Sequence, residues 1–283
     1  MKEMTLGQYY NGDSLLHRMD PRVKLFGVLA MIVALFSAES LWCFLFLFVL
    51  SAALILISGI PAGMLLRGLR PLILILVFTS FLSVFMTKGE GDPLVSFSVF
   101  SWFDLTVYTE GLVRAGLLCL RVILLVLTTS LFLTYTTTPT TLTDAIERVF
   151  HPLTYLHVPV YDFAMMMTIA LRFIPTLVEE TDRIMCAQKA RGADFSSGSL
   201  LKRARALVPI LIPLFVSSFR RAGELATAME CRCYRGGTGR TRLKVMHCRF
   251  SDYLFLFLFA LCVALVFLGN HFLPTVYGMG ALV

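Results

Sequence analysis

The chain of 283 residues is 57% hydrophobic and 15% charged, and its 25 Lys and Arg outnumber its 18 Asp and Glu for a formal charge of +7. Soluble domains carry about 25% charged residues, so this composition excludes one and places the chain in a bilayer. The seven cysteines are an odd set with three inside apolar runs, Cys43, Cys119 and Cys262, and imply no disulfide framework.

In chain order, Met1–Asp20 is polar and lacks the apolar core and small-residue cleavage site of a secretory signal, so it is expected to be retained. Asp20-Pro21 reads as a helix start, an acceptor at the N-cap followed by proline at the first helical position, and it opens a first span running to Ala38. Leu41–Ile57, Pro71–Met86, Gly111–Tyr135 and Tyr253–Leu273 follow as further spans, each near the ~20 apolar residues that cross a bilayer. Arg67 and Arg70 are assigned to the loop before Pro71, and an acidic loop with Glu90, Asp92, Asp104 and Glu110 comes after Met86. Arg121 lies within a span, where it costs roughly 2.5–3.5 kcal/mol unless it faces protein or water. Pairing with carbonyls and lining a functional surface are equal alternatives for it.

Between the fourth and fifth spans, Thr136–Arg249 holds 16 of the 25 basic residues and nine of the 18 acids. Cytoplasmic loops retain Lys and Arg, so the N-terminal stub, the Arg67/Arg70 loop and this insert are expected on the cytoplasmic side and the C-terminus outside. The expected fold is an all-α polytopic membrane protein with about five transmembrane helices. Residues 1–135 would form the stub and four helices, 136–250 a cytoplasmic domain of long amphipathic helices, and 251–283 the last helix and an extracytoplasmic end.

Within the insert, two long helices are expected, Pro159–Arg191 and Ser199–Tyr234. The first is interrupted as a span by Arg172 and Pro175 and by the charges Glu179, Glu180, Asp182 and Arg183; the second is expected to bend or break at Pro209 and Pro213. Both are therefore expected to lie along the interface, with apolar faces left for a partner, and the charge cluster after Val178 to be a solvated surface. The apolar middle of the second, Ala206–Phe219, supplies Leu207, Ile210, Leu211, Leu214 and Phe215 as contact candidates.

Each long helix closes on a similar word, Ala190-Arg191-Gly192 in the first and Cys231-Arg232-Cys233 in the second. Small neighbours leave each guanidinium unobstructed, a helix C-terminus favours a cation by roughly 0.3–1 kcal/mol, and arginine's planar fork suits directional bonds to carboxylates or carbonyls in a groove. One such arginine would be ordinary helix-end charge; two matching ends suggest docking.

The opening Gly7-Gln8-Tyr9-Tyr10-Asn11-Gly12-Asp13-Ser14, with Leu16-His17-Arg18-Met19-Asp20-Pro21-Arg22-Val23-Lys24 after it, resembles that of the transmembrane T component of energy-coupling factor transporters. The resemblance extends through Ala190–Phe195, Ala228-Met229-Glu230 and Tyr234-Arg235-Gly236-Gly237. It implies a non-catalytic coupling subunit of an ABC-class importer of vitamins or micronutrients in a bacterial or archaeal cell membrane. Its partners would be two cytoplasmic ATPases, which bind the ATP and Mg, and a membrane substrate-binding S component; this chain would bind no cofactor. Arg191 with Ala190 and Gly192, and Arg232 with Cys231 and Cys233, would dock the ATPases, with Cys231 departing from the usual alanine. A T component dedicated to cobalt or nickel uptake is the nearest alternative.

Other classes fit less well. A membrane-embedded enzyme lacks convergent acids or histidines, since His17, His151, His157, His247 and His271 are scattered. Cys231 and Cys233 with His247 and Cys248 do not have zinc-ligand spacing, and Gly236–Thr241 lacks the Gly-Lys-Ser/Thr of a phosphate loop. A secondary transporter would show related halves, and the basic insert is explained by lipid head groups without nucleic acid.

Overall fold

A computed structural model describes residues 9–10, 12–86, 95–100, 103–193, 195, 199–236 and 249–272. The architecture is helical and polytopic: six helical segments are long and apolar enough to cross a membrane, namely Leu41–Ser58, Ala62–Phe85, Gly111–Tyr135, Val160–Ala190, Arg205–Cys231 and Phe250–Phe272. Contacts divide the chain into two units, residues 1–142 with 246–283, and residues 143–245.

The first unit begins with a short turn of helix, α1 (Leu15–Arg18), then α2 (Pro21–Ser37), α3 (Leu41–Ser58), α4 (Ala62–Leu69) and α5 (Ile73–Met86). Asp20 caps α2 as expected, its Oδ1 accepting the Arg22 amide at 2.9 Å. At 17 residues, α2 is about 25 Å long and, like α3 at 18 residues and about 27 Å, falls short of the ~30 Å hydrocarbon core; it is the one expected span not among these six. Arg67 and Arg70 do not lie in a loop: Arg67 is on α4, and Arg70 opens a 3₁₀ turn that joins α4 directly to α5. Leu65 and Leu69, buried one turn apart, hold this segment helical.

The acidic stretch contains a two-stranded antiparallel hairpin, β1 (Val95–Phe100) and β2 (Phe103–Val107), with Val95 opposite Val107 and an irregularity after Ser98. Val95-Ser96-Phe97-Ser98 alternates apolar and polar residues as a strand should, a signal masked in the sequence reading by the loop's charges. Asp104 lies on β2; Glu90 and Asp92 lie outside the described residues. Next, α6 (Thr109–Thr129) runs into a π-helical turn, Ser130–Tyr135, and the unit ends, after the insert, with α10 (Phe250–Phe272).

The core of this unit is built on α2, packed against α10 and α6. Gly27 makes the close approach possible, since a Cβ there would stand 2.5 Å from the Phe259 ring. Phe259 meets Phe132 of the π-helical turn edge to face at 5.7 Å, among buried Met31, Leu35, Leu47 and Val266. Arg121 points inward: its Nη2 donates to the Ala38 carbonyl at 2.7 Å and its guanidinium lies 5.1 Å from the Phe44 ring centre. The carbonyl-pairing alternative is therefore the one realised.

The described residues of the N-terminal word resembling the T component are built into this unit. The Tyr10 amide donates to the Tyr135 carbonyl at 3.0 Å, and His17 Nε2 meets the Tyr10 carbonyl at 3.0 Å while its Nδ1 meets Ser14 Oγ at 2.7 Å. Burial lowers the His17 pKa, Lys24 adds to that, and the bond to the Tyr10 carbonyl and nearby Asp13 oppose it. Lys24 is fully buried and its Nζ donates to the Thr136 carbonyl at 2.8 Å, with the His17 carbonyl and Thr137 Oγ1 each at 3.4 Å. Asp252, also buried, accepts the amides of Asp20 at 3.2 Å and Arg249 at 2.8 Å. A buried cation and carboxylate persist only when hydrogen-bonded in this way, so the word is an architectural signature.

The second unit begins within α7 (Pro139–Val149) and continues through a 3₁₀ segment, His151–Leu156, neither of which was expected. Then come the two long helices, α8 (Val160–Ala190) and α9 (Leu200–Cys231). Both run unbroken through their prolines, Pro175 in α8 and Pro209 and Pro213 in α9. Each proline removes one backbone bond, and about 3 kcal/mol for it is tolerable in helices of more than 30 residues.

Candidate functional site

The two arginine words end α8 and α9 in the same backbone geometry. At the first, Arg191 is the C-cap, Gly192 turns left-handed at φ 85°, the Gly192 amide donates to the Lys189 carbonyl at 3.0 Å, and the Ala193 amide donates to the Gln188 carbonyl at 3.0 Å. At the second, Arg232 is the C-cap, Cys233 turns left-handed at φ 57°, the Cys233 amide donates to the Glu230 carbonyl at 2.9 Å, and the Tyr234 amide donates to the Met229 carbonyl at 3.1 Å. Both patterns are Schellman motifs, in which a left-handed residue after the cap lets the chain fold back onto the last carbonyls.

This geometry explains why a small residue follows each arginine. The left-handed position has no steric cost for glycine and about 1–2 kcal/mol for a residue with a Cβ, so Cys233 is the strained member of the pair. Ala190, Arg191, Gly192, Cys231, Arg232 and Cys233 are all exposed, which leaves each guanidinium at the negative end of a helix with its donors free for carboxylate or carbonyl acceptors on another surface. Asp194 and the residues from Gly237 to Cys248, which include the remainder of the glycine loop and the His247/Cys248 pair, lie outside the described residues. Among the described residues no cluster of three His, Cys, Asp or Glu could hold a metal.

Among the described residues, side-chain contacts tie α8 to α9 and to Tyr234 just beyond its end. Arg221 Nη2 donates to Glu180 Oε2 at 3.1 Å, and Tyr234 Oη donates to Met165 Sδ at 2.9 Å. Glu179 and Asp182 are solvated as expected, but Glu180 is half-buried and paired. The sequence reading missed both contacts; the signal lay in the arginine words, whose separation also brings Glu179-Glu180 into correspondence with Arg220-Arg221.

The apolar middle of α9 divides into two sides. Leu207, Leu211 and Phe215, spaced one turn apart, are exposed at 48%, 46% and 59%, while Ile210 is buried and Leu214 is half-buried. The free stripe continues through Val208, Ile212 and Phe219. So of the five contact candidates, three lie on an open apolar face and Ile210 is buried.

A family model described as CbiQ, cobalt transport protein, matches residues 12–245. The chain is 50% identical over 254 residues to the energy-coupling factor transporter transmembrane protein EcfT of Clostridium kluyveri, covering 90% of this chain and 92% of that one. To the protein of the same name from Acidaminococcus fermentans it is 50% identical over 272 residues, covering 95% and 97%. To that of Bacillus subtilis it is 45% identical over 244 residues, covering 86% and 88%.

Proposed function

This chain belongs to the family of energy-coupling factor transporter transmembrane proteins, EcfT, and from that premise we propose that it is the non-catalytic coupling subunit of an ABC-class importer. Arg191 and Arg232 dock two cytoplasmic ATPase subunits, and the open α9 face through Leu207, Leu211 and Phe215 receives a membrane S component that carries a vitamin or other micronutrient. ATP and Mg belong to the ATPases. In this reading α8 and α9 lie along the cytoplasmic interface of the cell membrane, with the N-terminus on the same side, because the basic excess of the insert favours anionic lipid head groups.

The observation that carries the reading is the pair of exposed arginines held in one backbone geometry at the ends of two long helices. Closure of the ATPase pair would move both tips, and the helices would pass the motion to the S component. The description of the matching family favours cobalt as a second cargo class; cargo choice would then rest with the substrate-binding partner.

Co-purification with the ATPase pair tests the reading. Retention by the native chain and its loss in Arg191→Glu and Arg232→Glu are expected. Unchanged retention and transport in both variants would return the arginines to ordinary helix-end charge.

A further inference from the structure

The Glu180–Arg221 contact occupies a singular position in the helix pair. Its partners are 41 residues apart, the same offset that relates Arg191 to Arg232. Glu180 therefore stands eleven residues before one arginine tip and Arg221 eleven residues before the other. The second contact fixes the direction of the helices: going forward from Arg221 to Tyr234 on one side means going back from Glu180 to Met165 on the other. The helices are thus antiparallel, and the ion pair lies midway between tips that point to opposite ends, separated by about 33 Å along the helices at about 1.5 Å per residue.

The chemistry at this midpoint is heterotypic. The same offset brings Glu179-Glu180 of α8 into correspondence with Arg220-Arg221 of α9, so two helices with like ends meet through unlike charges. Pairing of either helix with a copy of itself would bring like charges together, and a shift by one turn would move Arg221 toward Ile184 or Thr176, neither of which can take its place. Among the described residues the Tyr234–Met165 bond ties the pair near one end, and apolar packing resists sliding weakly.

We propose that Glu180 and Arg221 are the pivot of the lever: positioning residues that keep α8 and α9 in register, so that displacement of one arginine tip is delivered to the other. The inference rests on the docking role given to Arg191 and Arg232, and adds to it a residue pair that touches neither ATPase nor cargo. A partly exposed ion pair contributes little to stability, so its value here is geometric.

The test uses the full chain reconstituted in liposomes with both ATPases and an S component, reading ATP hydrolysed per substrate molecule imported. Glu180→Gln and Arg221→Gln are each expected to raise that ratio about fivefold while ATPase retention is unchanged, and the exchange Glu180→Arg with Arg221→Glu to bring it back within about twofold of the native value. Pulsed dipolar distances between spin labels at Gln188 and Met229, in a chain with Cys186, Cys231 and Cys233 replaced by serine, give a second measurement on the chain alone. The distribution should broaden in each single variant and narrow again in the exchange. A native ratio and a native distribution in the single variants, or an exchange that restores neither in a monodisperse chain, overturns the pivot. If the native chain retains no ATPases, the docking reading fails instead, and the distance measurement still decides the pivot.

Discussion

The two units differ in how much core they enclose. Residues 1–142 and 246–283 enclose a dense core and satisfy even a buried lysine and aspartate internally. Residues 143–245, among those described, contribute only Ala145, Val160, Ala164 and Ile210 to the buried apolar set and leave Phe163, Met166, Leu211, Phe215, Val216 and Phe219 open. Both units leave large apolar side chains open, Leu56, Leu74, Phe78 and Phe257 in the first among them, but the first adds a core of its own, whereas the second has little beyond the surfaces that lipid or another protein must cover.

Substitutions should separate the two regimes. The largest effect is expected from Lys24→Met, which orphans the Thr136 carbonyl and removes the buried cation whose field reaches Asp252: about 3 kcal/mol of stability lost, seen as a collapse of the detergent-solubilised melting transition or of membrane yield. A near-native melt would show that the base of the first unit does not depend on its ionic contacts. On the second unit, Leu211→Glu with Phe215→Glu should leave melting almost unmoved, within about 0.5 kcal/mol as for exposed sites, while abolishing retention of the S component. If instead the protein unfolds, that face is core and the contrast between the units breaks.

Smaller effects sharpen the comparison at the tips. Arg191→Lys and Arg232→Lys keep the charge but lose the planar fork, and each should weaken ATPase association about tenfold, roughly 1.4 kcal/mol for a charge-assisted bidentate contact. Equal affinity, by titration of the purified subunits, would reduce the tips to point charges. Gly192→Ala should loosen the end of α8 by about 1 kcal/mol, whereas Cys233→Gly should tighten the end of α9 by up to about 1 kcal/mol, both read by hydrogen exchange of the last helical amides.

The smallest effect concerns pH. The folded chain holds His17 below its ordinary pKa, chiefly by burial, so the unfolded state binds the proton more readily. The stability this contributes is present above about pH 6.5, the ordinary value, and is lost as pH falls through and below it. Melting curves of the native chain should therefore drop between pH 7 and 5 by more than those of His17→Gln; parallel curves would remove His17 from the account.

Much of this was legible in the residues. The Asp20-Pro21 start, the long apolar runs and the two arginine words are local signals, fixed by capping, hydropathy and repetition within a few positions. Arg67 and Arg70 misled because charge suggests a loop, while Leu65 and Leu69 hold them on a helix from the inside. Pro209 and Pro213 misled in the opposite direction, suggesting a break that α9 does not show, since a long helix absorbs a lost bond that a short one would not. Of the site, the tips were readable, but Ile210 could not be told from Leu211 before the orientation of α9 was known. Glu180 passed for a solvated acid because its partner is distant in sequence. Lys24 and Asp252 were invisible for the same reason, each being stabilised by groups that only folding assembles.

Eleven residues make close to three turns of α-helix, within about 20°. Each tip arginine is thus nearly in phase with its own member of the Glu180–Arg221 pair, and the direction in which it emerges is set by residue count as much as by residue type. Inserting one residue anywhere in those three turns would advance the tip by only about 1.5 Å but swing it through about 100°. Length between pivot and tip is therefore under tighter constraint than the identity of the residues that fill it.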